Sequence, residues 1–171
     1  MSSLARALVL AIALVGGVTA CSPENAQTQF ERGKRYEKGD GVPKDIAQAV
    51  IWYRKAAEQG HAKAQFALGV RYGKGEGVPQ DAAQAVTWYR KAAEQGHAKA
   101  QFALGLSYDN GEGVPQDYQQ AYAWFSVSAA NGRTDGVKYR NLTAKRLSPT
   151  QLVEAQALAT RYFEASRPKE D

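Results

Sequence analysis

Apolar and polar positions along this chain alternate with the period of an α-helix. Between residues 62 and 73, Ala64, Leu68 and Tyr72 occupy positions i, i+4 and i+8, which places them on one face of a helix. A run of glycine, valine and proline follows at residues 75–79 and interrupts the helical pattern. The pattern therefore predicts a first helix that ends before a tight loop.

A second helix is predicted directly after that loop. Asp81 can accept hydrogen bonds from the free backbone N–H groups of the first turn, and Gln84 stands three residues later, in capping-box position. Gly96 suits the left-handed conformation that ends many helices. The predicted buried stripe of this helix consists of Ala85, Trp88, Tyr89, Ala92 and Ala93. The two helices together form a predicted hairpin.

The hairpin recurs along the chain. The sequence from Trp52 to Gly69 returns letter for letter from Trp88 to Gly105, at an offset of 36 residues. One hairpin cannot bury its own apolar stripe, whereas stacked copies bury each other's, so a fixed period predicts an all-α solenoid. A recent duplication would also explain the identity, and the sequence leaves both explanations open.

The period divides the chain into segments, each with a predicted role. The first segment is a leader and the second a short linker, and these are followed by three repeats, a degenerate repeat with a capping helix, and a flexible tail. Their bounds are 1–20, 21–24, 25–60, 61–96, 97–132, 133–165 and 166–171. In the degenerate repeat the loop is lost, and Ser148 and Gln151 form a capping box for the closing helix.

A glycine inside each first helix indicates a close approach between helices. Gly69 costs about 1 kcal/mol relative to alanine in a helix interior, yet it recurs as Gly33 and Gly105. We expect that only a hydrogen atom fits where the paired helix crosses, near Ala85 in the second repeat.

The recurring positions resemble the Sel1-like repeat (SLR) family, which is related to the tetratricopeptide repeats. The matching residues are Gly33, Tyr36, Asp45 and Trp52 in the first repeat, Gly69, Tyr72, Asp81 and Trp88 in the second, and Gly105, Tyr108, Asp117 and Trp124 in the third. The resemblance implies a right-handed superhelix of helical hairpins and a role as a protein-binding scaffold.

The first residues have the pattern of an export signal. Arg6 precedes an uncharged apolar run at 7–20, which as a helix would span about 21 Å, short of the roughly 30 Å hydrocarbon core of a membrane. The run ends before Cys21 in a sequence that resembles the lipobox of bacterial lipoproteins. We predict a lipid on Cys21 and, because Ser22 follows, an outer-membrane location facing the periplasm. An ordinary cleaved signal and an uncleaved anchor remain alternatives.

Charge and composition add little that points to catalysis. The formal net charge of +5 is scattered along the chain, which argues against nucleic acid as a partner. Cys21 is the single cysteine, so no disulfide can form within the chain. No nucleophile, base and orienting acid occur as a set, and we predict no enzyme and no cofactor.

Several residues could be interpreted as ligand sites, but each has a simpler structural role. His61 and His97 stand one repeat apart, which favours capping of a helix junction over metal binding. The stretch 109–112 is acidic but lacks the remaining ligands of a calcium loop. Trp52, Trp88 and Trp124 share one helical register, which favours core packing over a ligand platform. We therefore predict no metal.

Partner-binding residues are expected at positions that differ between repeats, because packing positions stay fixed. In paired-helix solenoids the first helices line the inner curve. The predicted row there is Lys34, Arg35, Lys38, Val70, Arg71, Lys74, Leu106, Ser107 and Asn110. Arg35 and Arg71 could supply forked hydrogen bonds to an extended or acidic segment. The alternatives are that these positions are solvated surface, or that the partner binds the loops after Gly39, Gly75 and Gly111.

These observations favour one function and leave two others open. The first is a lipid-anchored scaffold that faces the periplasm and binds a protein or peptide through its concave surface. The alternatives are an immunity protein that neutralises a toxin acting in the periplasm and an accessory protein associated with peptidoglycan.

Overall fold

A computed structural model of the chain describes residues 24–167, which form eight α-helices and no strand. The helices are α1 Ala26–Lys38, α2 Ile46–Glu58, α3 Ala62–Lys74, α4 Ala82–Glu94, α5 Ala98–Asn110, α6 Tyr118–Ala130, α7 Thr134–Ala144 and α8 Pro149–Ala165. The first six pair as three hairpins, and α2, α4 and α6 each also pack on the helix that follows. The predicted stack of helical hairpins is confirmed.

Three of the predictions concern residues that the structure does not describe. The leader at 1–20 and the lipid site at Cys21 lie outside the described residues, as does most of the predicted tail. None of the helices within residues 24–167 combines the length and the apolar character needed to cross a bilayer.

Local hydrogen bonds explain where the helices begin. The carboxylates of Asp45, Asp81 and Asp117 accept the backbone N–H of the residue three positions later, at 3.0, 2.9 and 3.0 Å. Nδ1 of His61 and of His97 accepts the backbone N–H of Ala64 and Ala100, at 3.1 and 3.2 Å. The predicted capping role of the two histidines is confirmed, and each acts at the joint between two hairpins.

The glycines inside the first helices lie at close helix crossings. A Cβ atom at Gly69 would lie 2.7 Å from the ring of Tyr89 and 3.2 Å from the carbonyl oxygen of Ala85. The corresponding distances are 2.5 Å to the Tyr53 ring at Gly33 and 2.7 Å to the Phe125 ring at Gly105. The predicted close approach is confirmed, and the nearest neighbour is an aromatic ring rather than the alanine.

The loop glycines make a contact that the sequence analysis does not predict. Gly77 and Gly113 have positive φ angles of 76° and 73°, as a tight turn requires. A Cβ at Gly77 would also lie 2.8 Å from the carbonyl oxygen of Ile46, and one at Gly113 would lie 2.2 Å from that of Ala82. Each loop therefore docks on the first turn of the second helix of the preceding hairpin.

Buried amide side chains connect the hairpins through the core. Gln65 is 4% exposed; its Nε2 donates to the carbonyl oxygen of Ala57 at 3.1 Å, and its Oε1 accepts from Gln95 at 2.7 Å. Gln101 repeats both contacts, with Ala93 at 3.0 Å and Asn131 at 2.9 Å. These bonds satisfy buried polar groups at the helix ends and link each repeat to the one before it.

The end of the array differs from a fourth hairpin. Both α7 and α8 pack on α6, and α8 does not pair with α7 as a second helix would. The ring of Tyr162 stacks on Trp124 with centroids 4.3 Å apart, and its hydroxyl donates to Gln120 at 2.8 Å. The predicted capping box is present at Ser148 and Gln151. α8 is thus a capping helix, placed by its aromatic contact with α6.

The three tryptophans are not equally buried. Trp88 and Trp124 are 9% and 5% exposed and belong to the core, as predicted. Trp52 is only half-buried, and the guanidinium of Arg32 and the ammonium of Lys55 lie 4.7 and 4.4 Å from its ring centre. Since Trp88 packs against the preceding hairpin, Trp52 lacks the corresponding neighbour within the described residues.

Candidate partner-binding groove

A groove of about 550 Å³ runs over the first helices, from α1 across α3 to the start of α5. Its lining is apolar in the middle and charged at the edges. The apolar residues are Phe30, Phe66, Ala67, Val70 and Ala98, and the polar ones are Glu37, Lys63, Arg71, His97 and Lys99. An apolar cavity of this volume with a few polar groups has the character of a ligand-binding site.

Two phenylalanines at equivalent positions flank the floor of the groove. Phe30 packs on the ring of His61 with centroids 4.7 Å apart, and Phe66 packs on His97 at 5.0 Å. Both phenylalanines remain partly exposed. Ala67 follows Phe66 and is small, so the space above α3 stays open.

Over the third repeat the equivalent surface is covered by the chain itself. Phe102 is 8% exposed because Tyr139 of α7 packs against it edge-on, with centroids 5.1 Å apart and rings at 88°. The guanidinium of Arg133 lies 4.2 Å from the same ring, at the position that His97 takes in the preceding repeat. Tyr139 occupies the position in the repeat that Ala67 and Ala103 occupy in the earlier repeats. Its ring covers Phe102, whereas the small alanine side chains leave the equivalent space open.

Arg71 is fixed at the edge of the groove by two carboxylates. Its side chain is 13% exposed, and its two terminal nitrogens donate to Glu37 and Glu76. Its Nε is buried and has no partner among the described residues. Burial and a hydrogen bond to Glu37 raise the pKa of Tyr53, which keeps this hydroxyl protonated as a donor. Arg71 is therefore held in one orientation.

The predicted binding row is divided by the structure among several surfaces. Val70 and Arg71 line the groove, while Lys34 and Lys38 line an adjacent hollow beyond Arg71. Arg35 lines a separate hollow with Arg32, Tyr36 and Val42, so the structure does not bring Arg35 and Arg71 into one site.

The remaining members of the row lie towards the C-terminal half. Lys74 and Asn110 are exposed, and Leu106 packs against the core cluster around Phe125. Ser107 is 6% exposed, and its hydroxyl donates to the carbonyl oxygen of Ala103 at 3.1 Å. Ser107 also helps to line a further hollow, together with Val70 and Lys74 of the predicted row.

The sequence analysis missed most of the groove because it looked for positions that vary. Phe66, Lys63 and Ala67 are repeated as Phe102, Lys99 and Ala103, so a search for variation excludes them. A usable signal was present in the helical pattern: Phe66 is a large apolar residue outside the stripe of Ala64 and Leu68. Phe30 stands at the equivalent position one repeat earlier, and a contiguous apolar patch formed by such residues indicates a binding surface.

The acidic stretch near the end of α5 has a structural role. The Asp109 carboxylate accepts from the Thr143 hydroxyl and from the Arg146 guanidinium, both at 3.1 Å, and so attaches α7 to α5. Within residues 24–167, no group of three or more histidine, cysteine or acidic side chains is arranged to hold a metal ion.

The histidine caps predict a dependence of stability on pH. Burial and the neighbouring Lys63 lower the pKa of His61, and burial and Lys99 lower that of His97. Because the unfolded chain binds these protons more readily, the free energy of unfolding should fall as pH drops from 7 to 5, and protonated Nδ1 can no longer accept the capping hydrogen bond. Urea midpoints measured across this range test the prediction.

A double variant, His61→Asn with His97→Asn, is the matched control for that titration. Asparagine caps a helix without ionising near neutral pH, so the profile of the variant should be nearly flat over the same range. Glu31, whose pKa is lowered by a hydrogen bond from Lys34, acts only below about pH 4.5 and does not interfere. A wild-type profile as flat as that of the variant would contradict the prediction.

Comparison with protein families gives a match over the three hairpins α1–α6. A model described as the Sel1 repeat matches residues 26–61, 62–97 and 98–132. These bounds lie within one residue of the three repeats predicted from the period. Among curated proteins, no sequence matches the chain.

Solved structures with the same architecture come from several bacteria. A protective antigen of uropathogenic Escherichia coli displaying an SLR fold has a TM-score of 0.69 and 35% identity, over 82% of this chain and 38% of that one. A Sel1 repeat protein from Oxalobacter formigenes has a TM-score of 0.64 and 38% identity, over 68% and 87%. The Helicobacter pylori cysteine rich protein B, at 20% identity, a TM-score of 0.55 and coverage of 66% and 92%, shares the fold alone. This chain thus spans well under half the length of the E. coli protein.

Proposed function

The chain belongs to the Sel1 repeat family, whose members are generally protein-interaction scaffolds, and from this premise we propose that it binds a partner protein while anchored to the cell envelope by lipid. The proposed binding site is the groove over α1, α3 and α5. The observation that carries the proposal is that this surface is open over the first repeats, whereas Tyr139 covers it over the third.

The groove has the properties that binding requires. Its partly exposed phenylalanines supply apolar area, and its charged edge supplies orientation. Its residues lie on packed helices, and ion pairs hold Arg71 in place, so little conformational entropy is lost when a partner binds. A partner segment in extended conformation suits a groove that crosses successive helices.

The anchoring part of the proposal depends on the first residues of the chain. Cys21 is the single cysteine and follows an apolar run that resembles a lipoprotein signal. Several acyl chains on one residue anchor a protein stably, whereas a single chain binds only marginally. The groove would then face the periplasm.

Filling the groove from within should abolish partner binding. Ala67→Tyr puts a tyrosine on α3 at the position equivalent to that of Tyr139 on α7. The variant should reduce capture of partners from intact envelopes by roughly tenfold or more, as measured by crosslinking and affinity purification. Ala157→Tyr is the matched control, because Ala157 is exposed on α8. Equal capture by wild type and Ala67→Tyr would place the partner site elsewhere.

Removing the cysteine should release the protein from the membrane. Cys21→Ser eliminates the thiol that would carry the lipid, so the variant should lose palmitate labelling and move from the membrane fraction to the soluble fraction. Inhibition of the lipoprotein signal peptidase should leave the wild-type leader uncleaved. A wild-type protein that is soluble and unlabelled would show that the anchor is not a lipid on Cys21.

A further inference from the structure

Tyr139 shows what kind of group the groove surface accommodates. Its ring contacts Phe102 edge-on, with centroids 5.1 Å apart, and Phe125 at 5.4 Å. Edge-on and tilted contacts of this kind stabilise aromatic pairs beyond the effect of area burial alone. The covered surface over α5 is therefore an aromatic site occupied by a residue of the same chain.

The open part of the groove presents the same elements without the ring. Phe30 packs on His61 in the way that Phe102 lies beside Arg133, and Ala67 stands where α7 has Tyr139. A cavity of about 550 Å³ is larger than one aromatic side chain. It has room for a ring together with the backbone that carries it.

The charge of the groove lining indicates which residues should stand beside an aromatic side chain that binds there. Lys63, Lys99 and Arg71 line the groove, and Glu37 is the one acidic residue that the described part of the chain adds to this lining. The terminal nitrogens of Arg71 are already paired, and its buried Nε–H has no acceptor among the described residues. The groove therefore carries excess positive charge at the exposed Lys63 and Lys99, which complements an acidic ligand.

We infer that the groove recognises an aromatic side chain flanked by carboxylates in an extended segment of the partner protein. The ring occupies the space above Ala67, between Phe30 and Phe66, and the carboxylates pair with Lys63 and Lys99. The inference rests on the proposed function, since it specifies the chemistry of the segment that the scaffold binds.

The test uses the full chain in detergent and a set of blocked pentapeptides. The main probe has a central phenylalanine with two glutamates on each side; a second has leucine at the centre, and a third has lysines in place of the glutamates. Binding is followed by NMR through the methyl signals of Ala67 and Val70, which line the groove. We expect the phenylalanine peptide to bind about two- to tenfold more tightly than the leucine peptide, and the lysine peptide to bind not at all.

Charge reversal provides a test that does not depend on repacking the groove. Lys63→Glu with Lys99→Glu changes two exposed side chains and should exchange the preference, so that the lysine peptide binds and the glutamate peptide does not. Lys55→Glu with Lys91→Glu is the matched control, because these lysines lie over Trp52 and Trp88 on the second helices. The control should bind as the wild type does.

Each result separates this inference from the proposed function. Equal affinity for the phenylalanine and leucine peptides overturns the aromatic specificity, and binding of the lysine peptide to the wild type overturns the acidic one. Self-association that the glutamate peptide displaces would make a second copy of the chain the occupant and overturn the inference. If no peptide binds while Ala67→Tyr still blocks partner capture, the inference fails and the proposed function stands.

Discussion

Gly113→Ala is expected to lower the free energy of unfolding by about 2–5 kcal/mol, the sum of a left-handed backbone penalty and an overpacking penalty. The new Cβ would lie 2.2 Å from the carbonyl oxygen of Ala82, at a φ of 73° that L-residues rarely adopt. Backbone atoms cannot move aside as a flexible side chain can, so the loop should separate from the preceding hairpin. Urea unfolding followed by circular dichroism measures the loss.

Gly41→Ala is the matched control, because it changes the equivalent turn of the first repeat. Its φ of 68° imposes a similar backbone penalty, but among residues 24–167 its only neighbour within 4 Å is the end of the Arg35 side chain, at 3.1 Å. We expect a loss of about 1–2 kcal/mol. If the two variants lose equal stability, the docking of the loop on the preceding hairpin contributes nothing.

Gly69→Leu is expected to destabilise the protein by at least about 1–3 kcal/mol, the usual cost of overpacking a core. Even the Cβ of an alanine there would lie 2.7 Å from the Tyr89 ring, with the carbonyl oxygen of Ala85 at 3.2 Å behind it. Replacing glycine by alanine in a helix normally raises the free energy of unfolding by roughly 1 kcal/mol, and Gly69→Ala should not show this gain. Thermal and urea midpoints of both variants give the measurement.

Gly73→Ala controls for helix propensity, since it lies one turn later in the same helix. Its new Cβ would have ordinary contacts, 3.4 Å to the Tyr89 hydroxyl and 3.7 Å to Ala85. We expect unchanged stability or a gain of up to about 1 kcal/mol. The close crossing would be contradicted if alanine stabilised both positions alike.

The hairpins were predictable because their signals are local. The caps at Asp45, Asp81 and Asp117 lie three residues from their partners, and the period of the chain sets the order of the units. The docking of Gly113 on Ala82 joins residues of different hairpins, and no local pattern marks it. The place of α8 depends on the contact of Tyr162 with Trp124, which the apolar stripe of α8 alone does not specify.

The candidate site was predicted only in part, for a related reason. A groove is defined by space that small side chains leave, and the importance of Ala67 becomes visible only beside Phe30, Phe66 and the covered site at Tyr139. The variable positions include Val70 and Arg71, which line the groove, and their role in binding stays a prediction. They also include Ser107, which is 6% exposed and whose hydroxyl donates to the carbonyl oxygen of Ala103.

The residues that form the joint between two hairpins lie together within one repeated stretch of sequence. This affects how the number of repeats can change during evolution. Ala57, His61 and Gln65, which form the cap and the amide bond of one joint, all lie in the stretch that is repeated as Trp88–Gly105. Unequal recombination between the two stretches adds or removes one whole repeat and restores an intact joint on both sides. The number of binding positions along the groove can thus change in single steps while the cap formed by α7 and α8 stays on the last hairpin.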